Sequence, residues 1–144
     1  MPVSNSVIAH LENQNIPFNV TTWDEKRPAL SVVQGEDAPC LVKSMLVQDS
    51  KGRAQVLIAA DTMLDLDAMF RQFGRRFEAL SAADIRPLMS QDELQGIPAI
   101  PYWQELPTFI DAGLLNKEQL LLESGSIGHV LQLTQNDFGD MISS

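Results

Sequence analysis

Lys43 stands in the run Leu41-Val42-Lys43-Ser44-Met45-Leu46-Val47, where nearly every neighbour is apolar. In a strand alternate side chains share a face, so Lys43 falls with Leu41, Met45 and Val47, opposite Val42, Ser44 and Leu46. A strand apolar on both faces is covered on both sides. An ammonium there needs a partner or a ligand, unless its stem snorkels from an edge to water. Lys43 is therefore either a binding group or a structural residue. His129 raises the same question, because it shares a face with Leu131 and Leu133. It is either a satisfied core histidine or a group placed for acid–base work. It directly follows Gly125-Ser126-Ile127-Gly128. Such a turn can aim backbone N–H groups at an anion, and it is too short for a dinucleotide or Walker motif.

Other chemistries find less support. The serines, Cys40, His10 and His129 show no nucleophile–base spacing. Two histidines without paired ligands make no metal pattern, and a lone Cys40 excludes an intrachain disulfide framework and a Cys-rich zinc site. Asp61, Asp65 and Asp67 alternate with Leu64 and Leu66 and lack an EF-hand glycine, so they read as an acidic helix start. No metal and no cofactor is expected. The net charge of −9, from 19 acidic and 10 basic side chains, argues against wrapping DNA or RNA broadly. Arg71, Arg75, Arg76 and Arg86 are either solvated charges or a local grip on one RNA end. No apolar run has the ~18 residues of a membrane span, and the N-terminal residues lack a signal-peptide pattern. The expected setting is the cytoplasm.

These groups must be positioned by the rest of the chain, which shows no repeat or linker over residues 1–144 and is expected to form one domain. Val3, Val7, Ile8 and Leu11 are at helical spacing, with Ser4 as cap and Val3 stapled to Ile8. A strand is expected over Ile16–Trp23 and a brief helix over Leu30–Gln34. Cys40–Gln48 and Arg53–Ala60 flank Asp49-Ser50-Lys51-Gly52 and predict a hairpin. Then comes a helix capped by Thr62, with Leu66, Met69, Phe70 and Phe73 as its inner stripe and Gly74 as its end. Phe77–Leu80 predicts a strand, and Ser81–Asp84 starts a helix that Pro87 should cut short or bend. Gly96–Pro107 reads as an irregular ordered loop. Strands are expected at Thr108–Asp111, Gln119–Glu123 and His129–Leu133, with a final helical turn around Phe138 and Met141. Short, consecutive strands outnumbering helices predict an α+β domain with a mixed, strongly curved sheet.

The Lys43 segment, the hairpin after it and Leu64-Asp65-Leu66-Asp67 resemble the signature of the YbaK and prolyl-tRNA-synthetase editing family. Leu106-Pro107-Thr108-Phe109-Ile110-Asp111 and Leu121-Leu122-Glu123-Ser124-Gly125-Ser126 resemble that family's closing strands, and the similarity runs from about Ala29 to Met141. The resemblance implies a mixed α/β domain with a barrel-like sheet and flanking helices. It implies deacylation of mischarged aminoacyl-tRNA in trans, with a small amino acid such as Ala or Cys on tRNA-Pro. The implied partners are the tRNA 3′ end and a synthetase. Lys43 matches the family's essential lysine. Gly96, Ile97, Pro98 and Ala99 correspond to the family's GxxxP loop, which holds substrate through backbone groups and helps place water. Gly125, Ser126 and His129 are carried over as substrate-binding residues. A positioned water and the substrate's ribose hydroxyl do much of the proton handling, so no side-chain triad is required. The loop Gln95-Gly96-Ile97-Pro98-Ala99-Ile100-Pro101 fits GxxxP in no register, and the hydrophobic pattern puts Gln95 on the family glycine. The alternative function is a non-catalytic ligand- or partner-binding module of the same fold.

Overall fold

Asp49-Ser50-Lys51-Gly52 turns the chain back on itself, with the Lys51 N–H donating to Asp49 Oδ1 at 3.0 Å and Gly52 at φ +135°. In the computed structural model, which describes residues 5–22, 40–90, 94–126 and 128–143, this hairpin is the centre of the molecule. Its strands are β2 (Cys40–Asp49) and β3 (Gly52–Ala59), antiparallel from Val42↔Ala59 to Asp49↔Gly52.

The remaining strands are β1 (Asn19–Thr22), β4 (Glu78–Ala79), β5 (Thr108–Ile110), β6 (Gln119–Glu123) and β7 (His129–Thr134). Together they make a seven-stranded sheet in the order β1-β7-β6-β2-β3-β5, with β4 paired to the far end of β2. It is mixed, because β2–β6 and β3–β5 are parallel and the other pairs antiparallel. The α+β expectation holds, and the sheet stays open. Its outermost strands, β1 and β5, lie on opposite edges, so a barrel is not completed.

Register assigns the two faces. Val42, Ser44 and Leu46 share one with Leu57, Leu120, Leu122, Leu131 and Leu133. Helices α1 (Asn5–Asn13) and α4 (Gln135–Ser143) pack on it through Val7, Leu11, Phe138 and Met141. On the other face Val47, Ala54, Val56 and Ile58 meet Met69 of α2 (Leu66–Phe73) and Phe77. Lys43 belongs to this second face with Leu41 and Met45, and all three are half-buried. The expected two-sided cover of β2 is thus complete on one face and partial where Lys43 lies.

Several sequence expectations shift. The first strand is shorter than Ile16–Trp23, and Trp23, the Ser4 cap, the Val3–Ile8 staple and the Leu30–Gln34 helix lie outside the described residues. Helix α2 begins at Asp65, whose side chain accepts the Ala68 N–H at 2.9 Å, so Thr62 is not its cap. Gly74 does end it, in the left-handed conformation at φ +70°. Its inner stripe is Leu66 and Met69. Phe73 stays 43% exposed at the edge, its ring 4.7 Å from that of Phe109. Phe70 is also 43% exposed and lies beneath the Arg76 guanidinium, 4.3 Å from its ring centre. Helix α3 (Ala82–Ser90) runs through Pro87. Pro87 is exposed and sixth of the nine helical residues, and with no N–H it forgoes the bond back toward Ala83. Ser81 caps that helix by accepting the Asp84 N–H at 3.2 Å. Gly96–Pro107 is irregular apart from a 3-10 turn at Trp103–Glu105.

Candidate functional site

Strand β2 loses its neighbour β6 after Val42↔Leu122, and next gains β4 only at Val47↔Ala79. Lys43 sits at this fork. Continuing the parallel register places it beside Glu123 on the same face. Beyond Glu123 the chain leaves the sheet at Ser124 and re-enters it as β7 at His129. Ser124, almost fully buried, ties this turn together. Its hydroxyl donates to the His129 carbonyl at 2.8 Å and accepts the Ser126 N–H at 3.1 Å.

The segment 94–99 lies across the turn as a strap. The Gln95 and Gly96 N–H groups donate to the Gly125 carbonyl at 2.7 and 3.2 Å, and the Ala99 N–H donates to the Glu123 carbonyl at 2.7 Å. The approach is close enough to require glycine at 125. A Cβ there would meet Leu94 Cδ2 at 2.8 Å and the Gly96 carbonyl oxygen at 3.2 Å, and φ is +88°. Behind the strap, Gln55 is fully buried on β3. Its Nε2 donates toward Ser44 Oγ at 2.8 Å, the Ile100 carbonyl at 2.9 Å and the Pro98 carbonyl at 3.3 Å. Its Oε1 accepts from Thr108 Oγ1 at 3.1 Å and the Trp103 N–H at 3.3 Å. One side chain thus fastens the irregular loop to the sheet.

Strap and turn enclose a cavity of about 410 Å³. Of the residues singled out from sequence, Gly96, Ile97, Gly125, Ser126 and His129 all line it. Pro98 and Ala99 do not, being buried behind it with their backbone turned to Gln55 and Glu123. Lys43 is next to the cavity rather than in its wall, one strand away from Glu123. Leu41 and Gln95 complete that side. Three of the strap's amides are spent on Gly125 and Glu123, and Pro98 has none. The Ile97 N–H has no hydrogen-bond partner among the described residues.

Glu123 is the site residue that sequence reasoning missed. It is half-buried in the cavity wall, and burial pushes its carboxyl up from the ordinary value while Lys43 pulls it back. The signal was the one that exposed Lys43, an ionisable group on a face shared with Leu121, but a strand-terminal glutamate reads as solvent-facing. Elsewhere, burial raises the Cys40 thiol, which keeps it protonated and unsuited to nucleophilic attack. A hollow of about 700 Å³ beside α2 holds Asp65, Asp67 and Arg76. These are already engaged, Asp65 in capping α2 and Asp67 in an ion pair with Arg76.

The profile of the aminoacyl-tRNA editing domain family matches residues 21–141, which include every element of this cavity. The chain belongs to the aminoacyl-tRNA editing domain family. Solved structures share the fold of this editing domain. It is similar to a candidate signal transduction protein from Marinobacter aquaeolei VT8, with TM-score 0.81 and 22% identity over 100% of this chain. The chain spans 29% of that protein. It is also similar to a candidate trans-editing enzyme for prolyl tRNA synthetase, with TM-score 0.72 and 21% identity, covering 99% of this chain and 95% of that one. A scaffold protein used for computational epitope grafting matches with TM-score 0.74 and 21% identity, over 99% of this chain and 93% of that one. No curated protein matches the chain.

Proposed function

We propose that this editing domain hydrolyses the ester of a mischarged aminoacyl-tRNA, with a small amino acid such as Ala or Cys on tRNA-Pro. The observation that carries the reading is the cavity between strap and turn, with Lys43 at its margin. In this reading the 3′ end enters between Ile97 and Gly125–Ser126, and the unpartnered Ile97 N–H meets the ester carbonyl oxygen. Lys43 binds a phosphate or ester oxygen from the rim. His129 lines the pocket for the amino acid. Water adds to the carbonyl carbon, the C–O bond to the ribose breaks, and the ribose oxygen leaves carrying a proton. Donors fixed before reaction stabilise the oxyanion without reorganising. The acidic chain then grips only the RNA terminus, in the cytoplasm and alongside a synthetase.

A panel of mischarged tRNAs tests this directly. Wild type should release at least one small amino acid. Lys43→Ala and Lys43→Met should lose that turnover while staying folded, because neither removes a core contact from the fully buried face. Full turnover by Lys43→Ala would remove the assignment. The strap's departure from GxxxP, with exposed Gln95 on the family glycine, favours the binding-module alternative. That alternative gains if charged analogues bind and no ester is cleaved.

A further inference from the structure

Glu123 is the one carboxylate among the described residues lining the cavity. Its oxygens accept no hydrogen bond from the described residues, and it makes no direct ion pair with Lys43 beside it. A half-buried carboxylate left this way costs stability, because burial removes water and no described group hydrogen-bonds to it in exchange. Fold requirements do not explain it. The turn is held by Ser124 and the strap by the backbone of Gly125 and Glu123, none of which uses the Glu123 side chain. Among the described residues, Lys43 acts on this carboxylate only through space, and no cation touches it.

An aminoacyl ester supplies one. Its α-ammonium lies two bonds from the carbonyl carbon, and the nucleotide's phosphate lies across the ribose. The site presents both charges, a carboxylate in the cavity wall and Lys43 beside it on the neighbouring strand. We infer that Glu123 is the receptor for the substrate's α-ammonium, and that with Lys43 it orients the aminoacyl end in the cavity. The inference deepens the proposed function and rests on it. Specificity follows: the free amine is selected whatever the side chain, and acyl groups lacking it are rejected.

The test compares two non-hydrolysable probes, 3′-deoxy-3′-(alanylamino)adenosine 5′-phosphate and its lactoyl counterpart, in which a hydroxyl replaces the ammonium. Binding to wild type and Glu123→Gln is measured by calorimetry at pH 7, with thermal melts to confirm folding. Wild type should prefer the alanyl probe on the order of ten-fold, as expected for a charged hydrogen bond, and Glu123→Gln should bind both alike. The wild-type comparison stands even if the variant fails to fold. Equal binding of the two probes by wild type, or binding of neither, overturns the inference. So does a Glu123→Gln variant that keeps the preference but stops hydrolysing, which would make Glu123 a base. A mischarged-tRNA panel run in parallel separates the readings. Preference without any cleavage leaves the ammonium receptor standing and defeats the hydrolase proposal, whereas cleavage without preference does the reverse.

Discussion

Replacing Gln55 by leucine keeps the volume of the side chain and deletes its polar contacts. Nε2 has two hydrogens for three acceptors, and the shorter pair, to Ser44 Oγ at 2.8 Å and the Ile100 carbonyl at 2.9 Å, takes them. After the change some partners still find each other. The Trp103 N–H lies 3.3 Å from the Ile100 carbonyl, and Thr108 Oγ1 keeps the Leu106 carbonyl and the Tyr102 N–H. The Ser44 hydroxyl loses the one hydrogen bond it has in the described structure, and the Pro98 carbonyl loses the amide it faces at 3.3 Å. At about 1–3 kcal/mol per stranded buried group, and with the leucine returning part of this through apolar burial, Gln55→Leu should cost about 2–4 kcal/mol. That is a large share of the 5–15 kcal/mol or so typical of a domain. Glu at 55 is the sharper perturbation. A carboxylate cannot donate to Ile100 or Ser44 and would place a charge in a fully buried site, so Gln55→Glu should cost more than Gln55→Leu despite its likeness in shape. Urea denaturation measures both. Gln55→Leu within about 0.5 kcal/mol of wild type, or Gln55→Glu no worse than Gln55→Leu, would refute the reasoning.

Gly125→Ala combines left-handed strain with contacts at 2.8 and 3.2 Å. It should cost roughly 2–4 kcal/mol and lower deacylation in the same protein, and a loss below about 1 kcal/mol would show that the strap yields freely. The Arg75 guanidinium grips both oxygens of Asp49 at 2.7 Å and holds that carboxyl down at about 2 from an ordinary 3.8. A folded-state pKa below the unfolded one gives stability that is present above 3.8 and lost as pH falls toward 2. Asp49→Asn should therefore flatten that part of the melting-temperature profile, and an unchanged acid limb counts against the pairing. Glu123 has the opposite sign, since its raised value makes the native state hold the proton more tightly than the unfolded chain does. Wild-type stability should rise as pH falls from the raised value toward 4.5, so Glu123→Gln should melt higher at pH 7 and lose that advantage near 4.5. Equal melting temperatures at pH 7 would contradict it.

The hairpin was readable because its turn chemistry is local, and Gly74 was readable because only a left-handed residue ends α2 there. Thr62 failed as a cap for a tertiary reason: the chain runs on past it to Asp65, where Leu66 and Met69 first reach the sheet. Phe70 looked like core because a stripe pattern does not see Arg76 arriving over its ring from outside the helix. In the site, Gly96, Ile97, Gly125, Ser126 and His129 line one cavity, while Pro98 and Ala99 face Gln55 and Glu123 instead. Gln55 itself was within reach of the period-two reasoning applied to Lys43, as a polar residue sharing a face with Leu57 in an apolar run. What no local pattern could supply was the pairing of β2 with β6, and with it the meeting of Lys43 and Glu123.

That parallel seam has a consequence for the order of assembly. The hairpin can close as soon as it is made, since its strands are joined by a short turn. Residues 40–42, by contrast, wait for residues 120–122, and residues 55–57 wait for 108–110. Such distant pairings form late and slowly, because the intervening loop must be closed first. The cavity wall comes from both sides of the seam, so a nascent chain has its central hairpin long before it has a pocket. Loss of the last strand and helix would leave a partly ordered sheet with no place for a substrate.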